Sequence, residues 1–571
     1  MHILGIHDGH NASACLITDG ETIIALQEER FTNTKNISGF PAKAVTEILK
    51  RSGLSPDDID LVAVASTHTP TPFTRDNILQ GYRRDTNLTA RLKELVKKTP
   101  VYTMYKAKRR KEREKTLMDA GFDLLRVKYV DHHLCHAACA YYGAPWRDER
   151  VLVLTNDGSG DGLCATVSVA EGGVIKRIAE TEKGHSIGNI YSRTTFMMGL
   201  VPLEHEFKIM GMAPYASPAG AEKGYEAYAD LIDVNPDDPL TIKRAIPEPT
   251  HLIYQRLRER TEFLRFDWIS AGLQRITEEV ISRWVEAAVK KTGISTVVMA
   301  GGVFMNVAAN KRVLELPCVD KLFVFPSCGD DTTAIGAAYQ VYADVCRDEG
   351  REIDIPPIEG FYLGDDFTDA DVSITVDAAR ERFTFDAERV KDIDGETGAL
   401  MAAGEVVARC QGRMEFGARA LGNRSILGDA SDANCVRTIN MMIKKRDFWM
   451  PFAPVMLDRR ASDYIINPKE MPAPYMIMLF DTTKNHEDLI AAVHQADLTA
   501  RPQVIRKDWN GGYYRVLESF EKETGRGVAL NTSFNLHGYP IVHGPEEALW
   551  VFENSGLTHL ALGDMLLSKK A

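Results

Sequence analysis

Residues 2–27 read HILGIHDGHNASACLITDGETIIALQ, and the pattern of this stretch decides the fold of the chain. It holds three β-like runs, His2–His7, Ala12–Thr18 and Thr22–Gln27, parted by DGHN and by Asp19-Gly20. Asp-Gly supplies the two positive-φ residues of a tight hairpin turn, so the second and third runs should pair antiparallel. A helical pattern over Ala42–Arg51 and a strand-like Ile59–Ala65 come next. Further along, Val151–Thr155 is another buried-strand run, ending in NDGSGDG (156–162) and followed by Leu163–Ala170 and Gly172-Gly173. Two hairpin openings with the same turn chemistry predict an internal duplication. From Val297 the order becomes strand to Ala300, Gly301-Gly302, helix over Val303–Leu316, strand over Leu322–Phe325 and helix over Thr332–Cys346, which is α/β layering.

A charged, proline-containing stretch, Arg347–Glu359, reads as a linker, and a domain boundary is expected near residue 360. Beyond it lie a strand-like Ser373–Asp377, a helix-like Lys391–Ala403 and a strand-like Glu405–Cys410. The 571 residues, 44% hydrophobic and 26% charged, suit a globular protein of more than one domain. A net charge of −12 argues against a nucleic-acid partner. The one basic run, KAKRRKEREK (106–115), reads as a solvated helix face or a lid that attracts anions. No apolar run reaches membrane-spanning length, and MHILGIHDGHNAS has no signal-peptide pattern. Nine scattered cysteines without a CxxC pair fit reduced thiols, so a cytoplasmic location is expected.

Three groups of residues carry chemistry. In HHLCH (132–136), His132 and His136 share one face of a helix, where they could hold a metal ion or could be two separately hydrogen-bonded histidines. Asp157 and Asp330 close strand-like runs, and a mixed imidazole and carboxylate set suits iron(II), manganese or zinc. Asp8-Gly9, Asp157 to Gly160 and Gly301-Gly302 are turns whose amides could face phosphates. In the C-terminal half, QGRMEFGARALGNRSILGD (411–429) holds Arg413, Arg419 and Arg424. IKKRDFWMPFAP (443–454) adds Lys444, Lys445 and Arg446, Arg501 follows, and NTSFNLHG (531–538) supplies polar donors. Convergent guanidiniums with Ser and Asn suit a small phosphorylated substrate, because their forks match phosphate oxygens.

Longer stretches carry a family resemblance. These are EERFTNTK (28–35), HHLCHAACAYY (132–142), KIMGMAPYA (208–216), GGVFMN (301–306), GRMEFGARALGNRSIL (412–427), KKRDFWMPFAP (444–454) and ALNTSFNLHG (529–538). In this order they resemble the NodU/CmcH carbamoyltransferases. The resemblance implies an α/β chain: an actin-like (ASKHA, TsaD-type) duplicated domain over 1–355, then a YrdC-like α/β domain over 360–571. It implies iron(II), or another divalent metal, on His132, His136, Asp157 and Asp330. It further implies a nucleotide at Lys208, Gly211, Gly301, Gly302 and Asn306, and carbamoyl phosphate at Arg419, Arg446, Arg501 and Ser533, with Arg413, Lys444 and Asn535 beside them. Lys35 matches a lysine near the transfer site.

The activity so implied is an ATP-dependent O-carbamoyl transfer, with ATP and Mg as cosubstrate. Carbamoyl phosphate and ATP give carbamoyladenylate, and the carbamoyl group then passes to a hydroxyl of a small molecule, with His10 as the base and Arg446 at the first reaction. A homodimer is an expected assembly, and 75–115 or 216–265 an expected place for the acceptor pocket. Three positions depart from the family pattern: Asn11, Thr332, which leaves Asp331 as an alternative to Asp330, and Met450. Two other readings stay open, a tRNA threonylcarbamoyl transferase and an actin-like ATPase without transfer activity.

Overall fold

Both hairpin openings become the antiparallel half of a mixed five-stranded sheet in a computed structural model that describes residues 1–70, 74–85, 100–444 and 446–569. In the first sheet Glu21–Gln27, Ser13–Thr18 and His2–His7 pair antiparallel, and Leu61–Ala65 and Val127–Val130 continue it in parallel. In the second sheet Val174–Glu182, Leu163–Glu171 and Val151–Gly160 pair antiparallel, with Thr296–Ala300 and Lys321–Val324 in parallel. The strand order is the same, so the expected duplication is present in the topology. The turns behave as their sequences require: Asp19 and Gly20 have φ of 49° and 90°, Gly172 and Gly173 of 56° and 77°.

The helix Thr333–Asp348 lies on the first sheet and also packs against the helix His132–Gly143. Two glycines make these approaches possible. A Cβ on Gly5 would sit 2.2 Å from the Ala334 carbonyl oxygen, and one on Gly336 would sit 1.9 Å from that of Cys135. Backbone therefore meets backbone, and the ends of Leu61–Ala65 and Val127–Val130 and the start of the histidine helix are fixed around this contact.

A second unit holds an eight-stranded mixed sheet. Val407–Cys410 runs parallel to His559–Leu562 and antiparallel to Arg424–Gly428, and Val528–Ser533 lies between Arg424–Gly428 and Ala453–Leu457. Its core packs Val407, Leu427, Val455 and Ala529 against Val516, Leu517 and Phe520 of the helix Gly511–Thr524.

Several expectations are corrected. Ser373–Asp377 lies inside a helix, Asp369–Arg380, not a strand. Thr368 and Asp371 form a capping box, and Val372, Val376 and Ala379 face the core at helical spacing, which overrides the strand preference of Ile374, Thr375 and Val376. The helix expected over 303–316 divides into a one-turn segment Gly302–Met305 and a helix Val307–Leu314 capped by Asn306. The chain also divides differently from a single cut near 360. Residues 1–28 and 36–358 form one compact unit, and 29–35 belong with 359–571. The basic run lies on the helix Pro100–Asp119, largely exposed, with Arg113 turned inward to Asp8. Residues 86–99, part of one stretch expected to hold the acceptor pocket, and Lys445 lie outside the described residues. Among the described residues no helix is long and apolar enough to cross a membrane.

Substituting Gly336→Ala should destabilise the first unit by about 1–3 kcal/mol, the usual cost of overpacking a close contact. The check is the denaturant midpoint of the transition that releases bound metal, which an unstrained site would leave in place.

Candidate metal centre and candidate anion pocket

The strand Val151–Gly160 and the helix His132–Gly143 deliver the first constellation. The helix begins at Asp131, whose carboxylate caps the Leu134 amide at 2.9 Å, so His132 and His136 project on successive turns. The Asp161 side chain fixes the surroundings. It accepts from the amides of Thr67, His68 and His132 at 2.8 to 2.9 Å and from Ser66 Oγ at 2.8 Å. A Cβ on Gly160 would sit 2.0 Å from His132 Cδ2, and one on Gly302 would sit 2.9 Å from Asp157 Oδ1. Both ligand side chains thus occupy room that only glycine leaves.

His132 Nε2 lies 3.2 Å from His136 Nε2, 3.1 Å from Asp157 Oδ2 and 3.6 Å from Asp330 Oδ1, and His136 Nε2 lies 3.5 Å from Asp330 Oδ1. One donor atom from each of the four falls within 4.8 Å of the others. Asp331 is directed elsewhere: its Oδ2 accepts from Gln27 Nε2 at 3.1 Å and Ser327 Oγ at 2.9 Å. Of the two aspartates left open by the sequence, Asp330 is the one in the cluster.

Charge inside the cluster is frustrated without a cation. Burial alone would lower His132, but Asp330 and Asp157 outweigh it and push its pKa up to about 9. Burial, then His132, pushes His136 down to about 3. Burial and the Asp157 carboxylate push Asp330 up. Its Oδ1 is buried without a hydrogen-bond partner. Two carboxylates and two imidazoles facing one point fit a divalent ion with mixed nitrogen and oxygen ligands.

Next to this cluster His7, which the sequence reading took only as a strand end, is buried and bridges His10 O and Thr333 Oγ1, each at 2.8 Å. Burial pushes it down to about 4, so it is a neutral brace. The charge of His10 acts on both His7 and Asp330. Asp8, two residues earlier, is gripped by Arg113 through contacts of 2.6 and 2.7 Å.

The expected nucleotide residues fall on neighbouring elements. Gly301, at φ 114°, allows its turn to pass the Asn156 backbone, where a Cβ would lie 2.3 Å from Asn156 O. Asn306 caps its helix through Ala309 N at 3.1 Å and exchanges two 2.9 Å hydrogen bonds with Gln274. Lys208 and Gly211 lie on Glu206–Met212, which packs on the long helix Phe266–Thr292 that carries Gln274.

The second constellation lies in the other unit. Arg446 donates to Thr532 Oγ1 at 3.2 Å and Pro451 O at 3.3 Å, and Arg501 donates to Met476 O at 3.1 Å. Burial, then Arg419, lowers Arg446 to about 10. Burial, then Arg419 and Arg446, holds Arg501 well below its ordinary value. The three guanidiniums therefore share one neighbourhood. Lys444, at the end of a π-helical turn Asn440–Lys444, donates to Ser533 O and Asn535 Oδ1 at 2.5 Å, and burial, Arg446 and Lys35 lower it strongly. Among the described residues no carboxylate pairs with Arg446, Arg501 or Lys444. Glu415, buried between the arginines in sequence, accepts instead from the amides of Leu421, Asn423 and Arg424 at 2.6 to 3.2 Å and so shapes the loop that carries Arg419.

Two arginines of the same motif do other work. Arg413 donates to the carbonyls of Leu363 and Gly364, and Arg424, fully buried, donates to those of Gln411, Gly412 and His543. Glycine-spaced arginines look alike in sequence, and only the register of Arg424–Gly428 in the sheet separates these roles. Thr532, a partner of Arg446, was visible only as part of NTSFN.

Comparison with known proteins matches residues 2–339 to the description "Carbamoyltransferase N-terminus" and residues 398–569 to "Carbamoyltransferase C-terminus". Nodulation protein NolNO of Sinorhizobium fredii is 29% identical over 98% of this chain and 79% of its own length. The 3'-hydroxymethylcephem-O-carbamoyltransferase of Amycolatopsis lactamdurans is 27% identical over 65% of this chain and 69% of its own length. Among solved structures, HypF in its phosphate- and nucleotide-bound form is 14% identical, covers 60% of this chain and 55% of its own, and has a TM-score of 0.35.

Gly160→Ala should displace the His132 ring and weaken metal binding roughly 10–100-fold, as loss of ligand orientation does elsewhere. Metal content after equilibrium dialysis, with circular dichroism as a folding control, checks it. Stoichiometric metal in the variant would contradict the site.

Proposed function

The chain belongs to the carbamoyltransferase family, and from that premise we propose that it is an ATP-dependent O-carbamoyltransferase that makes carbamoyladenylate in its second unit and passes the carbamoyl group to a small-molecule hydroxyl in its first. One observation carries the proposal: Arg419, Arg446 and Arg501 share a neighbourhood, and no described carboxylate pairs with Arg446 or Arg501. A buried cluster of like charge is costly unless anions enter it. We read the second unit as YrdC-like and the duplicated sheets as actin-like.

In the second unit the guanidiniums hold the phosphate oxygens of carbamoyl phosphate and ATP. Water attacks the carbonyl carbon of carbamoyl phosphate, the bond from that carbon to the phosphate oxygen breaks, and carbamate and phosphate result, the protons of water going to the released phosphate and to solvent. A carbamate oxygen then attacks the α-phosphorus of ATP, the bond to the β-phosphate oxygen breaks, and pyrophosphate leaves. Arg446, fixed by Thr532 and Pro451, stabilises the charge that grows on the phosphate oxygens. Lys444, with Ser533 and Asn535, shapes the floor rather than donating freely.

In the first unit His132, His136, Asp157 and Asp330 would hold a divalent metal, iron(II) among the candidates. Such an ion, when bound, supplies Lewis-acid polarisation of a carbonyl or phosphoryl oxygen. His10 takes the proton of the acceptor hydroxyl, whose oxygen forms the new bond to the carbamoyl carbon while the bond to the adenylate oxygen breaks and AMP leaves. His7 holds the His10 backbone in place for this step. Lys208, Gly211 and the Gly301 to Asn306 turn receive the nucleotide.

The test is pyrophosphate release that requires both carbamoyl phosphate and ATP. Arg446→Ala should lower it by about 10²–10³-fold. Release that persists in the variant, or that ignores carbamoyl phosphate, would overturn the reading. His10→Ala should leave that release intact and slow carbamoyl transfer by about 10²–10⁴-fold, measured as mass gain on a hydroxyl acceptor.

A further inference from the structure

The pocket of the second unit takes in a piece of chain from far away in sequence. Residues 29–35 belong with 359–571, although 1–28 and 36–358 form the other unit. The departure is pinned: the Glu28 carboxylate accepts from the amides of Lys43 and Ala44 at 3.2 and 2.8 Å, at the start of the helix Ala42–Ser52. The return is pinned by the Ala12 amide on Ile37 O at 2.9 Å. Between these points Glu29–Thr32 forms one helical turn, and Asn33 and Asn36 at φ of 52° and 57° reverse the chain, conformations asparagine tolerates.

Lys35 stands at the end of this segment, and its charge acts on Lys444 beside Arg446. Like charges repel, so bringing Lys35 near Lys444 and Arg446 requires the segment that carries it to be fastened. Arg30 fastens the segment that carries Lys35. It is among the largest fully buried side chains of the protein, at 1% exposure. It donates to the Gly417 carbonyl and, at 3.2 Å, to that of Ile541. Gly417 precedes Arg419 by two residues, and Ile541 follows the Ser533 to Asn535 turn. Phe31 adds a second hold, its ring 4.5 Å from that of His543, which is itself fixed to Asp365 at 2.8 Å.

Resting on the function proposed above, we propose that Arg30 is a positioning residue that sets Lys35 and the Arg419 loop against each other in the anion pocket, so that residues 359–571 alone lack a complete site. A guanidinium suits this role because its fork spans two carbonyls, whereas a lysine offers a single centre.

The experiment uses the full chain and a double-mutant cycle. Carbamoyl-phosphate KM and kcat are read from pyrophosphate release, and inorganic phosphate binding is read by calorimetry, for wild type, Arg30→Ala, Lys35→Ala and the double variant. Arg30→Ala should raise the carbamoyl-phosphate KM and weaken phosphate binding at least about tenfold, the scale of a lost orienting contact. The double variant should be no worse than Lys35→Ala alone, because both changes remove the same placed charge. Arg30→Lys and Phe31→Leu are milder variants should Arg30→Ala fail to fold, and both should fall between. Additive effects, or a loss confined to kcat with phosphate binding unchanged, would overturn the proposal. Wild-type protein that binds phosphate with this coupling but releases no pyrophosphate would sink the adenylate reading and leave Arg30 in its role. Wild-type protein that releases pyrophosphate while Arg30→Ala behaves as wild type would do the reverse.

Discussion

Gathering Lys444, Arg446 and Arg501 where no described carboxylate pairs with them is the constraint on which the second unit is built. Two unit charges 4 Å apart repel by about 4 kcal/mol at the effective dielectric of a protein surface. Arg446 and Arg501 are held in one another's field by neutral oxygens, those of Thr532, Pro451 and Met476. The sheet supplies the rigidity. Val528–Ser533 lies between Arg424–Gly428 and Ala453–Leu457, so the strands before and after the cationic loops cannot drift apart. Glu415 lies in the same motif, yet its Oε1 accepts backbone amides, shaping the loop that carries Arg419. The fold thus holds Arg446 and Arg501 on neutral oxygens, with no described carboxylate paired to either.

The first unit applies the same logic with the signs mixed. His132 and His136 face two carboxylates at a spacing where a single proton cannot satisfy all four groups: burial lowers both imidazoles, and the charges of Asp330 and Asp157 outweigh it only at His132. The surrounding architecture is committed to that geometry. Asp161 gathers the His132 amide and the Ser66 to His68 turn, His7 braces His10, and Gly160 leaves space for an imidazole. The two centres share no residue. The first sits where loops leave the strands of its sheet, and in the second the loops that enter Arg424–Gly428 and Ala453–Leu457 meet the end of the antiparallel Val528–Ser533.

Much of this was legible in the sequence because local chemistry and global fold agree. The Asp19-Gly20 and Gly172-Gly173 turns require positive φ and have it, and the repeated hairpin opening gives two sheets of one strand order. His132 and His136, four apart, do share a helix face. What was not legible depends on distance in sequence or on register. Nothing in the composition of 29–35 separates it from the strands and helix on either side, since its anchors, Gly417 and Ile541, lie hundreds of positions away. Asp330 and Asp331 differ only in which of two adjacent carboxylates meets Gln27 and Ser327. Arg413 and Arg424 sit in one motif and hold different backbone carbonyls. Ser373–Asp377 has strand propensity, but a capping box and three core contacts at helical spacing decide the matter.

The most direct measurement of the central claim is the thermal stability of the full chain in rising inorganic phosphate or pyrophosphate, at constant ionic strength set with chloride. Relief of charge repulsion by a bound anion predicts stabilisation that grows as RT ln(1 + [L]/Kd), about 2.7 kcal/mol at a hundredfold excess over Kd, and that disappears in an Arg446→Ala/Arg501→Ala double variant. Stability that is the same in phosphate and in chloride, or a phosphate effect that survives in that variant, would contradict a pocket built from uncompensated arginines.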